Sequence, residues 1–198
     1  MSTDRIVVDS RVADEFVKKL TDRAAPLRAG DPHGKNVALG AMISAEAAAR
    51  VGALVKDALD KGAKLMLGGE IEGAVMQPTV LDYVTPSMRA YSEELFGPVV
   101  AVIRASDEAD AIRIANDTSF GLSASVFTAD TARGVRVALQ IESGMCHVNG
   151  PTVHDEANMP FGGVKDSGYG RFGGRAAIAE FTDLRWITAQ TEPRHYPF

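Results

Sequence analysis

Short apolar runs alternate with segments of helical periodicity over the first 150 residues of the chain. A β-branched run at 5–8 predicts a strand, and the residues after it predict a helix with four inward positions, Val12, Phe16, Val17 and Leu20. Ser44 is a good N-cap for an alanine-rich helix that extends to about residue 61, where Gly62 ends it. A strand at 63–67 follows. This alternation predicts helices that pack on a sheet.

The same alternation continues further along the chain. Strands are predicted at 78–84, 99–103, 122–128 and 145–149, with helices at 106–115 and 131–141 between them. The run at 99–103 is continuously apolar, which is typical of a strand buried on both faces. The helix that begins at Ser106 is expected to turn three residues inward, Ala109, Ile112 and Ala115. Strands joined by single helices imply right-handed crossovers, so the predicted fold is α/β with a mostly parallel sheet and flanking helices.

The pattern changes after Gly150. A glycine-rich stretch leads to a short helix at 175–181 and then to a final apolar strand at 184–188. No later element follows to cover that strand, because the chain ends in the polar, proline-containing tail TEPRHYPF. We therefore expect the strand to pair with another chain through its free edge.

Composition and charge narrow the class of protein. The chain has 21 basic and 26 acidic residues and a net charge of −5, which argues against a broad nucleic-acid surface. No apolar stretch reaches the ~18 to 20 uncharged residues of a membrane-spanning helix. The first ten residues are charged where a signal peptide would be apolar, and the single cysteine excludes an internal disulfide, so a cytoplasmic protein is predicted. One cysteine and four scattered histidines lack metal-ligand spacing.

The segment EELFGPVV, residues 93–100, places two carboxylates before a Phe-Gly-Pro turn and a buried strand. A carboxylate in such a loop can accept hydrogen bonds from the hydroxyls of a ligand. The alternative is that Glu93 and Glu94 are ordinary solvated loop charges. The segment alone leaves both interpretations open.

Three glycines in the stretch 160–174 have the G-x-G-x-x-G spacing of a dinucleotide-binding turn: Gly168, Gly170 and Gly173. That motif must follow a strand, whereas residues 160–166 contain a proline and two adjacent glycines. No well-placed acid appears about 20 residues further on. Lys165 does not follow a glycine and so does not fit a phosphate-binding loop. We therefore predict a long irregular loop whose glycines let the backbone pass close to other parts of the molecule.

Cys146 and His147 are adjacent, which suggests a nucleophile with its base. Neighbouring residues on a strand point to opposite faces, however, so the two side chains are not expected to interact. The prediction is that Cys146 is a small buried apolar residue. His154, Asp155 and Glu156 form a polar cluster in the next loop, and an acid–base role for them would require a substrate pocket.

Four segments in this order resemble the aldehyde dehydrogenase superfamily: EELFGPVV, NDTSFGLSASVFT (116–128), GMCHVNG (144–150) and PFGGVKDSGYGR (160–171). LGAMIS and AKLMLGG are also similar to family segments, although Ala41 stands where a proline is usual. The resemblance covers nearly the whole chain and corresponds to the C-terminal part of the catalytic domain. The stretch PTVHDEANMPFGG, with Phe172 after GYGR, is similar to the salicylaldehyde and vanillin dehydrogenase branch, which acts on aromatic aldehydes.

The resemblance implies oxidation of an aldehyde to a carboxylic acid through a thiohemiacetal on a cysteine, with NAD or NADP as hydride acceptor. In relatives the nucleophile would stand immediately before the position of Met1, and the general base and dinucleotide-binding domain lie upstream. The expected description is therefore a truncated product or mis-started frame of a longer enzyme, inactive alone and not expected to bind the cofactor by itself. Two alternatives stay open: a non-catalytic module that joins intact aldehyde dehydrogenase subunits, and weak activity through Cys146.

Individual residues are assigned roles by the same resemblance. Glu94 matches the glutamate that binds the nicotinamide ribose hydroxyls, and Phe96 matches the aromatic residue at the nicotinamide end of the cofactor. Phe161 matches a residue that lines the substrate tunnel, and His154 lies in a loop, 150–159, that borders the aldehyde entrance. The final strand resembles an oligomerisation strand. The implied division is a partial catalytic domain at 1–181 and an oligomerisation strand with its tail at 182–198, in a homo-oligomer.

Overall fold

A computed structural model describes residues 3–34 and 37–197. Met1, next to which the resemblance places the nucleophile, lies outside the described residues. The strands are β1 (Arg5–Asp9), β2 (Lys64–Leu67), β3 (Ile71–Glu72), β4 (Val75–Met76), β5 (Thr79–Asp82), β6 (Val99–Ala105), β7 (Phe120–Gly121), β8 (Ser123–Val126), β9 (Met145–Val148) and β10 (Val164–Lys165). The helices are α1 (Ser10–Ala24), α2 (Ala45–Asp60), α3 (Arg89–Ser92), α4 (Glu108–Asn116), α5 (Thr131–Ala138) and α6 (Gly174–Glu180).

The central sheet has four strands in the order β1–β6–β5–β2. β6 lies parallel to both β1 and β5, and a separate pair, β8 and β9, is also parallel. β2 is antiparallel to β5, because only the short β3–β4 hairpin joins them and a parallel connection needs a longer crossover. The α/β fold with a mostly parallel sheet is thereby confirmed.

Apolar side chains cover both faces of this sheet. On one face, Leu54 of α2, Leu81 of β5 and Ile103 of β6 belong to one buried cluster. On the other face, Val17 of α1 packs with Val102 of β6. Successive residues of β6 therefore enter opposite clusters, as the continuous apolar run predicts.

The predicted start and end of α2 are confirmed. The Ser44 hydroxyl accepts a hydrogen bond from the Ala47 amide at 3.1 Å, which satisfies one of the amides at the beginning of the helix. At the other end, Gly62 has a φ of 102°, a left-handed conformation that glycine adopts without steric cost.

The cap of α4 and one of its three inward positions, Ala109, were predicted wrongly, whereas Ile112 and Ala115 are partly buried. Asp107, not Ser106, caps the helix, because its carboxylate accepts the Asp110 amide at 2.9 Å. Residues 109 and 111 differ by two positions and therefore point about 200° apart around the helix axis. Ala109 is therefore exposed, and the core contacts come from Ala111 and Ile114.

The inward face of α1 is correct except at one position. Val17 is buried, and Phe16 and Leu20 pack against the same cluster, but Val12 is 55% exposed. Ala13 takes the inward position instead. Two boundaries also differ, since α5 ends three residues early and the strand predicted at 122–128 is shortened to β8, with β7 lying before the predicted range.

The C-terminal region has little regular structure. β10 pairs with β7, α6 follows, and residues 182–197 form neither helix nor strand. The strand predicted at 184–188 is not formed within the chain, and its pairing with another chain stays a prediction. In the described ranges, 3–34 and 37–197, no helix is long and apolar enough to cross a membrane.

Candidate functional site

The two glutamates of the loop before β6, Glu93 and Glu94, have different surroundings. The guanidinium of Arg89 donates two hydrogen bonds to the Glu93 carboxylate, at 2.6 and 3.1 Å, and thereby lowers the pKa of that group. Glu94 is exposed, and no partner binds its carboxylate within the described part of the chain. Glu93 thus belongs to a surface ion pair, whereas the Glu94 carboxylate can still accept hydrogen bonds from a ligand.

The backbone beside Glu94 is held from two sides. The Leu95 amide donates to Asp4 Oδ2 at 3.1 Å, and the guanidinium of Arg50 donates to the Glu94 and Leu95 carbonyls at 3.2 and 2.7 Å. The Leu95 side chain is fully buried. These contacts fix the loop although it lies at the surface.

Phe96 presents its ring to solvent from that fixed loop. Its φ is 48°, a left-handed conformation that costs a residue with a side chain about 1 kcal/mol. The side chain is 72% exposed although it is aromatic. Strain and exposure at the same residue are typical of a functional position rather than of a packing one.

The loop at 150–159 is held by β8 and by the start of the chain's first strand. Ser125 Oγ donates to the Gly150 carbonyl at 2.6 Å, and Ser123 Oγ donates to the Thr152 carbonyl at 2.8 Å. The Thr152 hydroxyl lies 2.8 Å from the Thr3 hydroxyl. The first residues of this loop are therefore fixed next to the beginning of β1.

His154 lies further along the same loop and is exposed. Its ring is 5.1 Å from the ring of His147 on β9, with an interplanar angle of 58°, and its Nε2 is 3.5 Å from Glu156 Oε1. His147 Nε2 is buried and has no hydrogen-bond partner among the described residues. The two histidines thus join the loop to the strand that precedes it.

Phe161 is fixed by a different contact. Its amide and carbonyl exchange hydrogen bonds of 2.8 and 2.7 Å with Phe172, and its side chain is partly buried. No hydrogen bond or ring contact in the described ranges joins Phe161 to Glu94, Phe96 or His154. Next to this pair, a Cβ on Gly173 would lie 2.1 Å from the Met159 carbonyl, which supports the predicted close passage of the backbone.

Thr3 and Asp4 connect the two loops. Thr3 contacts the loop at 150–159, and Asp4 binds the loop that carries Glu94 and Phe96. The sequence reasoning missed both residues, because their hydrogen bonds span 149 and 91 positions and leave no local pattern. Arg50 was missed for the same reason. The only signal was a pair of polar residues before a β-branched strand.

Cys146 does not form a reactive pair with His147. The thiol is partly buried rather than fully buried, and burial raises its pKa, which disfavours the nucleophilic thiolate. Cys146 lies opposite Ala124 in the parallel pair, and its neighbour alternates to the other side of β9. Within residues 3–34 and 37–197, no three His, Cys, Asp or Glu side chains are grouped to hold a metal ion.

Comparison with known proteins identifies the family. The model of the aldehyde dehydrogenase family matches residues 1–187. A vanillin dehydrogenase from Pseudomonas fluorescens is 55% identical over 197 residues, which cover all of this chain and 41% of that protein.

Solved structures agree. A salicylaldehyde dehydrogenase from Pseudomonas putida G7, complexed with salicylaldehyde, is 49% identical with a TM-score of 0.94, over 98% of this chain and 40% of that one. An NADP-dependent glyceraldehyde-3-phosphate dehydrogenase from Bacillus halodurans C-125, complexed with NADP, is 37% identical with a TM-score of 0.86, over 92% of this chain and 38% of that one. The chain spans about two fifths of these relatives, and it belongs to the aldehyde dehydrogenase family.

Proposed function

We propose that this chain forms the C-terminal part of the catalytic domain of an NAD(P)+-dependent enzyme that oxidises aromatic aldehydes to carboxylic acids. The observation that carries the proposal is the meeting of two loops at Thr3 and Asp4. One loop presents Glu94 and Phe96, and the other contains His154. A cofactor contact and a substrate contact at the same end of β1 are what a hydride transfer from aldehyde to cofactor requires.

The residues of the first loop fit a nicotinamide cofactor. The Glu94 carboxylate has no partner among the described residues and can accept hydrogen bonds from the ribose hydroxyls. The exposed ring of Phe96 offers an apolar surface beside it for the nicotinamide end. When bound, the cofactor supplies the acceptor for the hydride that leaves the substrate. The chain's own contribution is to hold both side chains on a fixed backbone.

The substrate side is assigned to Phe161 and to the loop with His154. Aromatic side chains near a substrate suit an aromatic aldehyde, because ring pairs in offset or tilted contact are favourable. Two of the three relatives named above, the vanillin dehydrogenase and the salicylaldehyde dehydrogenase, are named for aromatic aldehydes, which supports the same substrate class. The proposal therefore favours aromatic over aliphatic aldehydes.

The nucleophile is proposed to be a cysteine of the intact enzyme outside this segment, attacking the aldehyde carbon to give a thiohemiacetal. Cys146 is the sole thiol of the chain, and the raised pKa of this thiol keeps the thiolate scarce near neutral pH. The 198-residue chain is accordingly proposed to be inactive alone.

The adjacent glutamates provide a matched test of the cofactor contact. In the intact enzyme, Glu94→Gln removes the charge that accepts hydrogen bonds, whereas Glu93→Gln only breaks the surface pair with Arg89. A hydrogen bond to a charged group contributes enough that Glu94→Gln is expected to raise the Kd for NAD(P)+ about tenfold. Titration by quenching of protein fluorescence measures it. Equal Kd values for the two variants would contradict the assignment.

The substrate assignment has its own test. In the intact enzyme, Phe161→Ala is expected to lower kcat/KM for benzaldehyde about tenfold, with the kcat/KM for acetaldehyde changed less than twofold. Steady-state formation of NAD(P)H measures both. Parallel losses for the two substrates would count against a ring contact with the substrate.

A second candidate function is a non-catalytic module that associates with intact aldehyde dehydrogenase subunits. The observation that favours it is the apolar tail, in which Leu184, Trp186 and Ile187 are exposed. Sedimentation velocity of the chain mixed with an intact vanillin dehydrogenase is expected to show a mixed species. Separate boundaries at all ratios would exclude this function.

A further inference from the structure

We propose that Asp4 is a positioning residue for the cofactor loop, the segment 94–96: its carboxylate holds the Leu95 amide and, with Arg50, sets where Glu94 and Phe96 meet the cofactor. The inference rests on the proposed function, because it concerns the same two side chains. It assigns Asp4 a role that acts through the Leu95 backbone.

Asp4 is the residue whose side chain accepts the Leu95 amide. Asp4 stands directly before β1, and Arg50 lies on α2. Between them they bind the polar backbone groups of Leu95 and the Glu94 carbonyl, at distances of 2.7 to 3.2 Å. Arg50 carries only donors and binds carbonyls, so it cannot replace an acceptor for the amide.

The Asp4 carboxyl is partly buried where it holds the Leu95 amide. Burial raises the pKa of the Asp4 carboxyl, although the Leu95 amide and the charge of Arg50 act in the opposite direction. Because the folded-state pKa is raised, the stability gained by burying the protonated carboxyl is present below the ordinary aspartate pKa. It is lost as pH rises through the folded-state pKa. The Leu95 amide and the charge of Arg50 both favour the ionised carboxylate, so they oppose the effect of burial.

Asn and Ala substitutions separate the acceptor from the charge. Asp4→Asn keeps an oxygen that can accept the Leu95 N–H, whereas Asp4→Ala removes it. Both variants retain the backbone carbonyl of residue 4, which accepts the Ala101 amide of β6 at 2.8 Å. The Ala101 amide is therefore an internal reporter of the β1–β6 pairing. Asp31→Ala is the matched control, because Asp31 also accepts a backbone amide, that of His33 at 2.9 Å, in an exposed loop elsewhere.

Amide hydrogen exchange of the 198-residue chain, resolved by NMR, tests the inference without any cofactor. Asp4→Ala is expected to speed exchange of the Leu95 amide about tenfold, with the Ala101 amide unchanged, and Asp4→Asn is expected to restore most of the protection. Asp31→Ala should leave both amides as they are. Unchanged exchange at Leu95, or an equal rise at Ala101, overturns the inference.

A cofactor titration of the intact enzyme separates this inference from the proposed function. Where Glu94→Gln weakens binding of NAD(P)+, Asp4→Ala is expected to weaken it severalfold, and Asp4→Asn is expected to bind as the parent does. Unchanged binding in Asp4→Ala, with binding weakened in Glu94→Gln, would overturn the positioning role alone. Unchanged binding in Glu94→Gln would instead overturn the proposed cofactor site.

Discussion

The central sheet and the C-terminal tail contain the same kinds of apolar residue but bury them in opposite degrees. Leu81 of β5 and Leu95 beside β6 have no exposed surface. Leu184 and Trp186 of the tail are 105% and 91% exposed. The sheet therefore finds its packing partners within this chain, whereas Leu184 and Trp186 do not bury their side chains against any described residue. Substitutions paired across the two regions test that difference.

The largest expected effect is the difference in free energy of unfolding between alanine substitutions of a buried and an exposed leucine. Leu81→Ala leaves a cavity between the sheet and α2 and is expected to lower the free energy of unfolding by about 3 kcal/mol. Leu184→Ala removes the same atoms from an exposed position and should change it by less than about 0.5 kcal/mol at low protein concentration. Urea unfolding followed by circular dichroism measures both. Similar losses for the two variants would mean that the tail packs within its own chain.

The buried ion pair between Asp82 and Arg104 allows the same comparison of the sheet with the tail for charged residues. Asp82 is buried, and the Arg104 guanidinium binds its carboxylate at 2.7 and 3.2 Å and also contacts Asp14 at 2.7 Å. Arg104→Met leaves the buried carboxylate without its cation and is expected to cost about 3 kcal/mol, again in urea.

The exposed tail residue Arg185 is the control for this pair, because no partner binds it in the described ranges. Arg185→Met should therefore be neutral within about 0.5 kcal/mol. A neutral Arg104→Met would show that the pair does not stabilise the sheet.

Trp186 reports on the tail directly, because it is the only tryptophan. Its indole is expected to be quenched readily by acrylamide in dilute solution. If the tail pairs with a second copy, quenching should fall as protein concentration rises, and Leu184→Asp should restore it. Quenching that is weak even at the lowest concentration would contradict an exposed tail.

The smallest expected effect concerns Cys146. Because burial raises the pKa of its thiol, labelling by a disulfide reagent at pH 7 is expected to be severalfold slower in the folded chain than in urea. Burial of the protonated thiol stabilises the fold at pH values below the ordinary thiol pKa. This stabilisation is lost as pH rises through the pKa of the thiol in the folded chain. Labelling at the rate of the unfolded chain would show an accessible, reactive thiol.

Local patterns predicted the elements of the sheet well but predicted less about contacts between them. The apolar run of β6 indicated burial on both faces, and Ser44 and Gly62 marked the ends of α2. The face of α4 could not be fixed in the same way, because Ser106 and Asp107 are both capable caps and the residues that meet the core depend on how the helix packs on the sheet.

In the candidate site, too, local motifs predicted individual residues but not the contacts between distant segments. The motifs pointed to Glu94, Phe96, His154 and Phe161, whose side chains belong to recognisable segments. Asp4 and Thr3 hold the loops that carry Glu94, Phe96 and His154 through hydrogen bonds across more than 90 positions, and such pairings depend on the three-dimensional arrangement of the strands. The strand predicted at 184–188 is not formed among the described residues, and its pairing with another chain stays a prediction.

The most direct test of the account is turnover by the purified 198-residue chain, supplied with benzaldehyde or vanillin and with NAD+ or NADP+. The account predicts no formation of NADH or NADPH, and rapid formation by the intact enzyme under the same conditions. Turnover by the chain alone that disappears in Cys146→Ser would contradict it, because the only thiol of this segment would then be the nucleophile.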